Sequence, residues 1–433
     1  MLSSPAQVKV PPPPKAGSAQ AKDDLADLKA LARTRTPEVR RQAHYWGDEP
    51  AIEPWVQLNM KLVSEQSKNP PRTSRGYGLV SVAMNDAVVA AFHWKQVYKR
   101  SAPTGVSRLL PASAGPSYPS EHAAMAGAAA RLLAYLFPST TEARYDELAE
   151  QAADSRVAAG VNFRSDVDAG LNLGRQVADA VIARAETDGS NNHALGEVPG
   201  GPGVWGPPPG SPDSASQPVE PLAGSWRTWV PGVVDRDMPP PPPAFGSPRF
   251  VSEAREVMEI GNHLTDAQKG IANYWAAGAG TPLPPGMWNQ IALDEVRHRH
   301  LTLPRLVRTF ALLNMAEHDA GVAAWACKYK YWSPRPVNVI HQLGLDPNWK
   351  PFLPTPIFPS YVSGHSTYSA AGAEVLAYLF PDKAARFRAM ARQAGISRIY
   401  GGIHYASDNV QGLRLGADIG RRVVAMAKHP GPS

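Results

Sequence analysis

Three short stretches in the second half of the chain carry side chains that could surround one tetrahedral oxyanion. The first stretch, KYKYWSPRP, contains Lys328 and Arg335. Lysine supplies a mobile point charge, and arginine supplies a planar fork of donors for two anion oxygens. Pro334 disfavours a helical residue before it, so the helix from about Leu303 should end near Ser333. Lys328 would then lie on the last turn and Arg335 on the extended segment beyond, with both cations pointing into one pocket.

The second stretch is Ser363-Gly364-His365, which precedes a run with helical periodicity from about Thr367 to Phe380. A helix N-terminus offers backbone N–H groups and a partial positive charge, and both favour anions. Glycine lets the backbone approach an anion closely, and serine can donate its hydroxyl. The histidine is placed to exchange protons with a bound group. We therefore predict that Ser363, Gly364 and His365 line the same pocket.

The third stretch, SRIYGGIHYASD, contains Arg398, His404 and Asp408. Arg398 supplies a further guanidinium. His404 and Asp408 are four residues apart, so on a helix they would share one face. A carboxylate that holds one ring nitrogen fixes the tautomer and leaves the other nitrogen as a nucleophile or metal ligand. Taken singly, the stretches are more typical of a surface helix end, a turn and a surface ion pair than of a site, but the three in this order favour one site.

Helical periodicity dominates the chain on either side of a proline-rich middle, and we find no convincing series of alternating β-strands. The predicted class is all-α, built from two helical bundles joined by a Pro/Gly-rich segment. We predict an N-terminal arm with the first helices over 1–75 and a first bundle over 76–190. The connecting segment would cover 191–248, and the bundle with the three stretches would cover 249–433.

The chain also repeats itself in order. NDAVVAAFHWK matches HDAGVAAWACK, PSYPSEH matches PSYVSGH, and SRVAAGVNFRSD matches SRIYGGIHYASD. Matched blocks in the same order predict a duplicated bundle. In the first copy four residues of the set are kept: Lys95, Ser120, His122 and Arg156.

Three of the proposed site positions carry a different residue in the first copy. Ala102, Glu121 and Asn162 stand where the second copy has Arg335, Gly364 and His404. An asparagine cannot act as the nucleophile or metal ligand, and a glutamate would repel an anion. We therefore predict that the first bundle is a scaffold without chemistry.

Composition limits the partners. The chain has 433 residues and a net charge of +6 without a Lys/Arg run, so no nucleic-acid partner is expected. Its one cysteine, Cys327, cannot form an internal disulfide, and no apolar run is long enough for a membrane span. Because the N-terminus lacks a signal-peptide apolar core, we expect a soluble cytoplasmic protein, or a periplasmic or secreted one if a signal has been removed. A homo-oligomer is left open.

Together the three stretches resemble the signature of the vanadium-dependent haloperoxidases and the related type 2 phosphatidic acid phosphatases and bacterial acid phosphatases. That signature is K-x6-R-P, then P-S-G-H, then S-R-x3-G-x-H-x3-D. It maps onto Lys328, Arg335, Pro336, Ser363, Gly364, His365, Ser397, Arg398, Gly402, His404 and Asp408. The match is close over about 325–410 and general over about 250–425. Val362 departs from the pattern, which has proline there, and we expect only altered loop stiffness.

The resemblance to haloperoxidases implies a vanadate cofactor, vanadium(V), with His404 as the metal ligand. Lys328, Arg335, Ser363, Gly364 and Arg398 would hold its oxygens, and the implied catalytic residues are His365, His404, Asp408 and Lys328. The implied reaction oxidises halide with hydrogen peroxide to a hypohalous species that halogenates a small organic acceptor. Phe358 stands at a position that resembles the phenylalanine of chlorinating enzymes rather than the histidine of brominating ones.

The same resemblance implies an alternative, since phosphate could occupy the same site. The chain would then be a soluble phosphatase that hydrolyses phosphomonoesters through a phosphohistidine on His404, with Asp408 orienting the ring and His365 protonating the leaving oxygen. A third hypothesis is a non-catalytic anion-binding protein. The two-bundle length and the lack of membrane helices favour the haloperoxidase.

We predict that His404→Ala abolishes both peroxide-dependent bromination and phosphate-ester hydrolysis, because the proposed ligand or nucleophile is lost. Asn162→Ala, at the matching position of the first copy, should leave the activity intact. Assays of the two purified variants side by side test this, and the reverse pattern would place the site in the first copy.

Overall fold

The computed structural model describes residues 2–428 apart from residues 3, 49, 67–68, 112–114, 139–141, 194–196 and 213–216. Within these residues the secondary structure consists of α-helices with short 3-10 turns and no β-strand, which confirms the predicted all-α class. Met1 and residues 429–433, at the ends of the first and last predicted domains, lie outside the described residues. Of the helices in the described ranges, none combines the length and apolar character that crossing a lipid bilayer requires.

Seven helices precede the proline-rich middle in the described ranges. They are α1 (Ala19–Arg33), α2 (Pro37–Gly47), α3 (Glu53–Glu65), α4 (Pro70–Tyr98), α5 (Glu121–Leu136), α6 (Glu142–Ala158) and α7 (Arg164–Glu186). The later helices are α8 (Val233–Asp237), α9 (Pro248–Asn262), α10 (Asp266–Tyr274), α11 (Leu283–Val296), α12 (Leu303–Tyr331), α13 (Pro336–Gln342), α14 (Gly364–Leu379), α15 (Ala384–Tyr400) and α16 (Ala406–Lys428).

Two groups of helices pack side by side. In the first half α5 packs against α4, α6 and α7, and in the second half α14 packs against α12, α15 and α16. The long helices α4 and α12 also pack against each other, and one hydrophobic core holds buried residues from both halves, such as Leu79 and Leu313. The two bundles therefore share a core. The predicted domain boundaries remain predictions.

The proline-rich segments are held in the same way in both halves. Tyr98 donates its hydroxyl to the carbonyl of Val10 at 2.6 Å, and Tyr331 donates to the carbonyl of Pro239 at 2.9 Å. A second pair of tyrosines repeats this one residue further along the segments: Tyr118 to Pro11, and Tyr361 to Pro240. The duplication thus includes the segments predicted as an arm and a linker. The proline-rich segments take part in these contacts through backbone carbonyl groups, so the contacts do not require the two segments to have similar side chains.

The helix that follows each proline-rich segment is also equivalent. Asp24 on α1 accepts hydrogen bonds from the backbone and hydroxyl of Ser165 at the start of α7. Glu253 on α9 accepts the same pair from Ser407 at the start of α16, at 3.2 and 2.6 Å. The sequence blocks place the repeat from Asp86 and Asp319 onward. The structure extends it upstream to about residue 10 in the first copy and residue 239 in the second.

A buried carboxylate ties the connecting segment to α12. Asp319 accepts hydrogen bonds from the backbone N–H groups of Trp229, at 2.7 Å, and Val230, at 2.8 Å. At the matching position of the first copy, Asp86 accepts from the backbone N–H of Leu2 at 2.7 Å. A backbone donor buried without an acceptor costs about 1–3 kcal/mol, so these carboxylates fix where the segments lie.

We predict that Asp319→Ala lowers the free energy of unfolding by about 2–4 kcal/mol, because two backbone donors lose their acceptor. Asp146→Ala is the control: its side chain is 52% exposed and pairs with Arg175 at the surface, so its loss should cost less than about 1 kcal/mol. Urea unfolding followed by circular dichroism measures both. Equal losses would show that Asp319 is not an anchor.

Candidate active site

The end of α12 positions the two cations of the first stretch. The helix ends at Tyr331, close to the predicted end near Ser333, and Trp332 follows in the left-handed conformation with a φ of 47°. Lys328 lies on the last turn of α12, and Arg335 has an extended backbone with φ and ψ of −79° and 154° before α13. Both placements agree with the sequence-based expectation. Each side chain is 0% exposed.

The second stretch forms the N-terminus of α14. The helix begins at Gly364, three residues before the predicted Thr367, because the hydroxyl oxygen of Ser363 accepts a hydrogen bond from the N–H of Ser366 at 3.3 Å and caps it. The first backbone N–H groups of a helix have no intrahelical acceptor. A methyl group added to Gly364 would lie 3.5 Å from the ring of Trp325, which is an ordinary van der Waals contact, so a small side chain would fit here without a clash.

His404 and Asp408 are paired, but not as the sequence suggested. His404 precedes α16 and Asp408 lies in its first turn, so the two do not share one face of a helix. The loop before α16 brings His404 Nδ1 to 2.8 Å from Asp408 Oδ2, and the same oxygen accepts from the N–H of Tyr405 at 3.3 Å. Because the carboxylate accepts from Nδ1–H, the lone pair of the ring lies on Nε2.

The two arginines are fixed by backbone carbonyl groups. Arg335 donates from Nε to Phe358 and from Nη1 to Ile403, each at 2.8 Å, and Nη1 also lies 3.0 Å from His404 Nε2. Arg398 donates from Nη1 to the carbonyl of Trp275 at 2.6 Å. These hydrogen bonds do not use every N–H donor of the two guanidinium groups.

Three buried nitrogen atoms of the site lack a protein partner. In the described part of the chain, Arg335 Nη2, Arg398 Nε and His365 Nε2 have no hydrogen-bonding group within reach. Leaving a buried polar group unpaired costs about 1–3 kcal/mol, and more for a charged group. An oxyanion would accept hydrogen bonds from the two guanidinium nitrogens, and His365 Nε2 would donate to it once protonated, so the chemistry of this set fits the tetrahedral oxyanion that the sequence predicts.

Lys328 differs from the expectation that it contacts the oxyanion. Its ammonium group donates to the carbonyls of Pro359, Ser360 and Val362 at 2.8, 2.9 and 2.6 Å. An ammonium has three N–H donors, and here each has a carbonyl acceptor. Burial, followed by the charge of Arg335, holds the pKa of Lys328 well below its ordinary value, whereas the three carbonyl acceptors favour the charged form. Contact with an anion would require one of these hydrogen bonds to be exchanged.

Burial and crowding of positive charge shift the pKa values of the site. Burial lowers the pKa of Arg335 to about 10 and that of Arg398 to about 9, and in Arg398 the charge of Arg335 adds to the effect. Burial, followed by the nearby cations, holds the pKa of His404 well below its ordinary value. Burial raises the pKa of Asp408 to about 6, despite the hydrogen bond from Ser360. His404 is thus a neutral imidazole in a site that favours an anion.

Ser360 is a site residue that the sequence reasoning missed. Its hydroxyl donates to Asp408 Oδ2 at 2.5 Å and lies 3.4 Å from His404 Nδ1. It therefore helps to orient the carboxylate that orients the imidazole. The repeated PSY of the second block, which includes Ser117 at the matching place, was the signal that could have identified it.

The first copy brings its counterpart residues together without the same donors. Glu121 forms an ion pair with Lys95 at 2.8 Å, and Asn162 donates to Asp166 at 3.5 Å where the second copy has its His–Asp pair. Ala102 provides no cation. The contacts of Glu121 and Asn162 follow from the substitutions at these two positions.

Sequence comparisons find relatives with vanadium and phosphate chemistry. The family described as the VCPO second helical-bundle domain matches residues 141–189, 308–385 and 383–430. Vanadium chloroperoxidase of Curvularia inaequalis is 27% identical over 123 residues, which are 23% of this chain and 20% of that protein. Lipid A 1-phosphatase of Rhizobium johnstonii is 40% identical over 98 residues, 23% of this chain and 39% of that protein. The matched part of the chain thus spans less than half the length of either relative.

Solved structures share the fold over most of the chain. A crystal structure titled as the first bacterial vanadium-dependent iodoperoxidase has a TM-score of 0.72 at 24% identity, and the match covers 86% of this chain and 95% of that one. A holo-type bacterial vanadium-dependent chloroperoxidase has a TM-score of 0.62 at 14% identity, with 84% and 93% covered. At these identities the likeness concerns the fold.

We predict that Arg398→Gln weakens binding of orthovanadate and of inorganic phosphate by about 10- to 100-fold, because a charge-assisted hydrogen bond is lost. Arg388→Gln is the matched control: it lies on the same helix, 48% exposed, and pairs with Glu374. Titration calorimetry with each anion measures the change. If both variants bind like the unmodified protein, the oxyanion is not held at this site.

Proposed function

We propose that this chain, which belongs to the vanadium haloperoxidase and type 2 phosphatidic acid phosphatase superfamily, is a vanadium-dependent haloperoxidase that oxidises halide with hydrogen peroxide. The observation that carries the proposal is the neutral imidazole of His404, held by Asp408 beside buried donors without protein partners. The two-bundle fold, which this chain shares with solved haloperoxidases over most of its length, supports it.

The donor set defines how the residues would hold vanadate. Nε2 of His404 would be the metal ligand, and the guanidinium groups of Arg335 and Arg398 would bind the oxygens. The N-terminus of α14, with Ser363 and Gly364, would add backbone and hydroxyl donors. Bound vanadium(V) would act as a Lewis acid that activates hydrogen peroxide towards halide without changing its oxidation state.

The protein groups have separate tasks in this proposal. Asp408 accepts the Nδ1–H of His404 and so keeps the Nε2 lone pair available, while Ser360 fixes Asp408. Arg335 Nη1 now lies beside that Nε2 and would turn its hydrogen towards an oxygen of the anion. His365 would take a proton at its unpartnered Nε2, since an anion beside it raises the pKa that burial has lowered.

Aromatic rings cover the cations on one side. The ring of Phe358 lies 5.0 Å from the ammonium of Lys328 and 4.9 Å from the guanidinium carbon of Arg335, and it packs on Trp325. An apolar wall keeps water from the charged groups and so strengthens their interaction with an anion. We propose that halide reaches the site beside this wall.

Phosphomonoester hydrolysis is the second candidate function. The similarity of a 98-residue segment to lipid A 1-phosphatase, at 40% identity, favours it. The same donors would stabilise the charge on the phosphoryl oxygens, and His404 Nε2 would attack phosphorus. His365 would then give a proton to the leaving oxygen.

One paired assay tests the two functions. The purified protein is incubated with orthovanadate, and peroxide-dependent bromination of a diketone is measured beside hydrolysis of p-nitrophenyl phosphate by the vanadate-free protein. We expect bromination that depends on vanadate and peroxide. Hydrolysis without bromination would reject the haloperoxidase proposal in favour of the phosphatase.

We predict that Asp408→Asn lowers the turnover rate, in whichever of the two assays the protein is active, by about 10³–10⁴-fold. The reason is that an amide N–H facing Nδ1 forces the proton of His404 onto Nε2. Asp418→Asn is the control on the same helix, where the carboxylate pairs with Arg421 near the surface. Initial rates and thermal midpoints are measured for both. Near-normal turnover of Asp408→Asn would show that the tautomer does not matter.

A further inference from the structure

A cavity of about 830 Å³ lies beside the first copy of the repeat. Three residues that line it, Glu121, His122 and Arg156, are the counterparts of residues that surround the proposed oxyanion in the second copy. The opposite wall comes from the segment 296–306, which ends α11 and begins α12. The cavity thus lies at the position in the first copy that corresponds to the proposed active site of the second copy.

Arg156 is a buried cation with unused donors. Its side chain is 2% exposed, and in the part of the chain that the structure describes neither Nε nor Nη1 has a hydrogen-bond partner. Gly47 confines the group, since a methyl there would lie 2.5 Å from Nη1. A buried guanidinium without acceptors is costly, and because Arg156 lines the cavity, an anionic group bound there would offset part of that cost.

Glu121 changes the charge that the cavity presents. Its carboxylate pairs with Lys95 at 2.8 Å, and each of these side chains is 2% exposed. Lys95 is therefore neutralised inside the protein, and burial keeps the pKa of His122 below its ordinary value. Within the described part of the chain Arg156 forms no ion pair, although the charge of Glu121 also acts on it. One buried cation suits a singly charged group better than a multiply charged oxyanion.

The first copy also lacks the groups that the proposed chemistry needs. Asn162 stands in place of the imidazole ligand, and its amide donates to the carbonyl of Ser117 at 3.1 Å. Ala102 stands in place of the arginine beside that imidazole. A ligand in this cavity would be bound without being transformed.

Part of the remaining wall of the cavity is apolar. Its walls include Phe92, Leu110, Val296, Leu301, Leu303 and Leu306. Arg297 and Arg299 lie at the same wall, and both form ion pairs, with Glu53 and with Asp382. A volume of this size holds a small organic molecule rather than a bare oxyanion.

We propose that this cavity binds a small organic carboxylate, with the carboxylate on Arg156 and the apolar body against the leucine wall. The site is a binding site only, and it does not depend on which reaction the second copy performs. The sequence-based view of the first bundle as a scaffold without chemistry is kept, with a ligand site added to it.

Benzoate and its neutral analogue benzamide are the probes. Saturation-transfer NMR and titration calorimetry with the full chain measure their binding to the unmodified protein, to Arg156→Met and to Leu301→Trp. Arg156→Met removes the charge and keeps an apolar side chain of similar length, and Leu301→Trp fills part of the cavity. Arg388→Met, on the exposed face of α15, is the matched control.

We expect saturable binding of benzoate, at least about 10-fold weaker binding of benzamide, and at least about 10-fold losses for both cavity variants. Arg388→Met should bind benzoate normally. Even if Arg156→Met fails to fold, the comparison of benzoate with benzamide and the Leu301→Trp variant remain. The proposal would be overturned if benzoate showed no saturable binding up to about 10 mM or if both probes bound equally well. It would also be overturned if inorganic phosphate displaced benzoate, because the site would then bind any small anion.

Discussion

The structure depends on holding three cations close together in a buried volume. Lys328, Arg335 and Arg398 would repel one another strongly at low dielectric. Backbone carbonyl groups offset this repulsion, and they come from the loops at 358–362 and 401–403 and from Trp275. Each loop must keep its carbonyls turned inward, so the fold around the site is determined by this requirement. The donors that the carbonyls leave unused are the ones available to a guest anion.

The connecting segment belongs to the wall of the site as well as joining the bundles. The carbonyl of Val219 accepts hydrogen bonds from Trp325 at 3.1 Å and Tyr329 at 2.5 Å, on the turns of α12 that carry Lys328. Tyr361, in the loop whose carbonyls hold Lys328, donates to the carbonyl of Pro240 at 2.5 Å. The proline-rich chain thus braces the loop and the helix end that fix the ammonium. Proline suits this role because its backbone conformation is restricted and it has no backbone N–H that needs an acceptor.

Comparison of the two copies shows how a few substitutions change the contacts made at equivalent buried positions. Both copies keep a proline-rich segment, a carboxylate that holds it and a buried lysine beside a carbonyl. In the first copy Glu121 forms an ion pair with Lys95, whereas Gly364 has no side chain at the matching helix N-terminus of the second copy. The glutamate at this position therefore pairs internally with the buried lysine, a contact that the glycine of the second copy cannot make.

The sequence by itself determined the all-α class, the end of α12 near Pro334 and the pairing of His404 with Asp408, because local periodicity, proline sterics and residue type act over a few positions. Tertiary structure decided that this pair forms across a loop and a helix start rather than on one helix face. Tertiary structure also brings Lys328 to carbonyl groups 31 to 34 residues away, to which its ammonium donates hydrogen bonds. It brings the hydroxyl of Ser360 to the carboxylate of Asp408, 48 residues away. Such contacts depend on how distant segments pack, and no spacing along the chain specifies that.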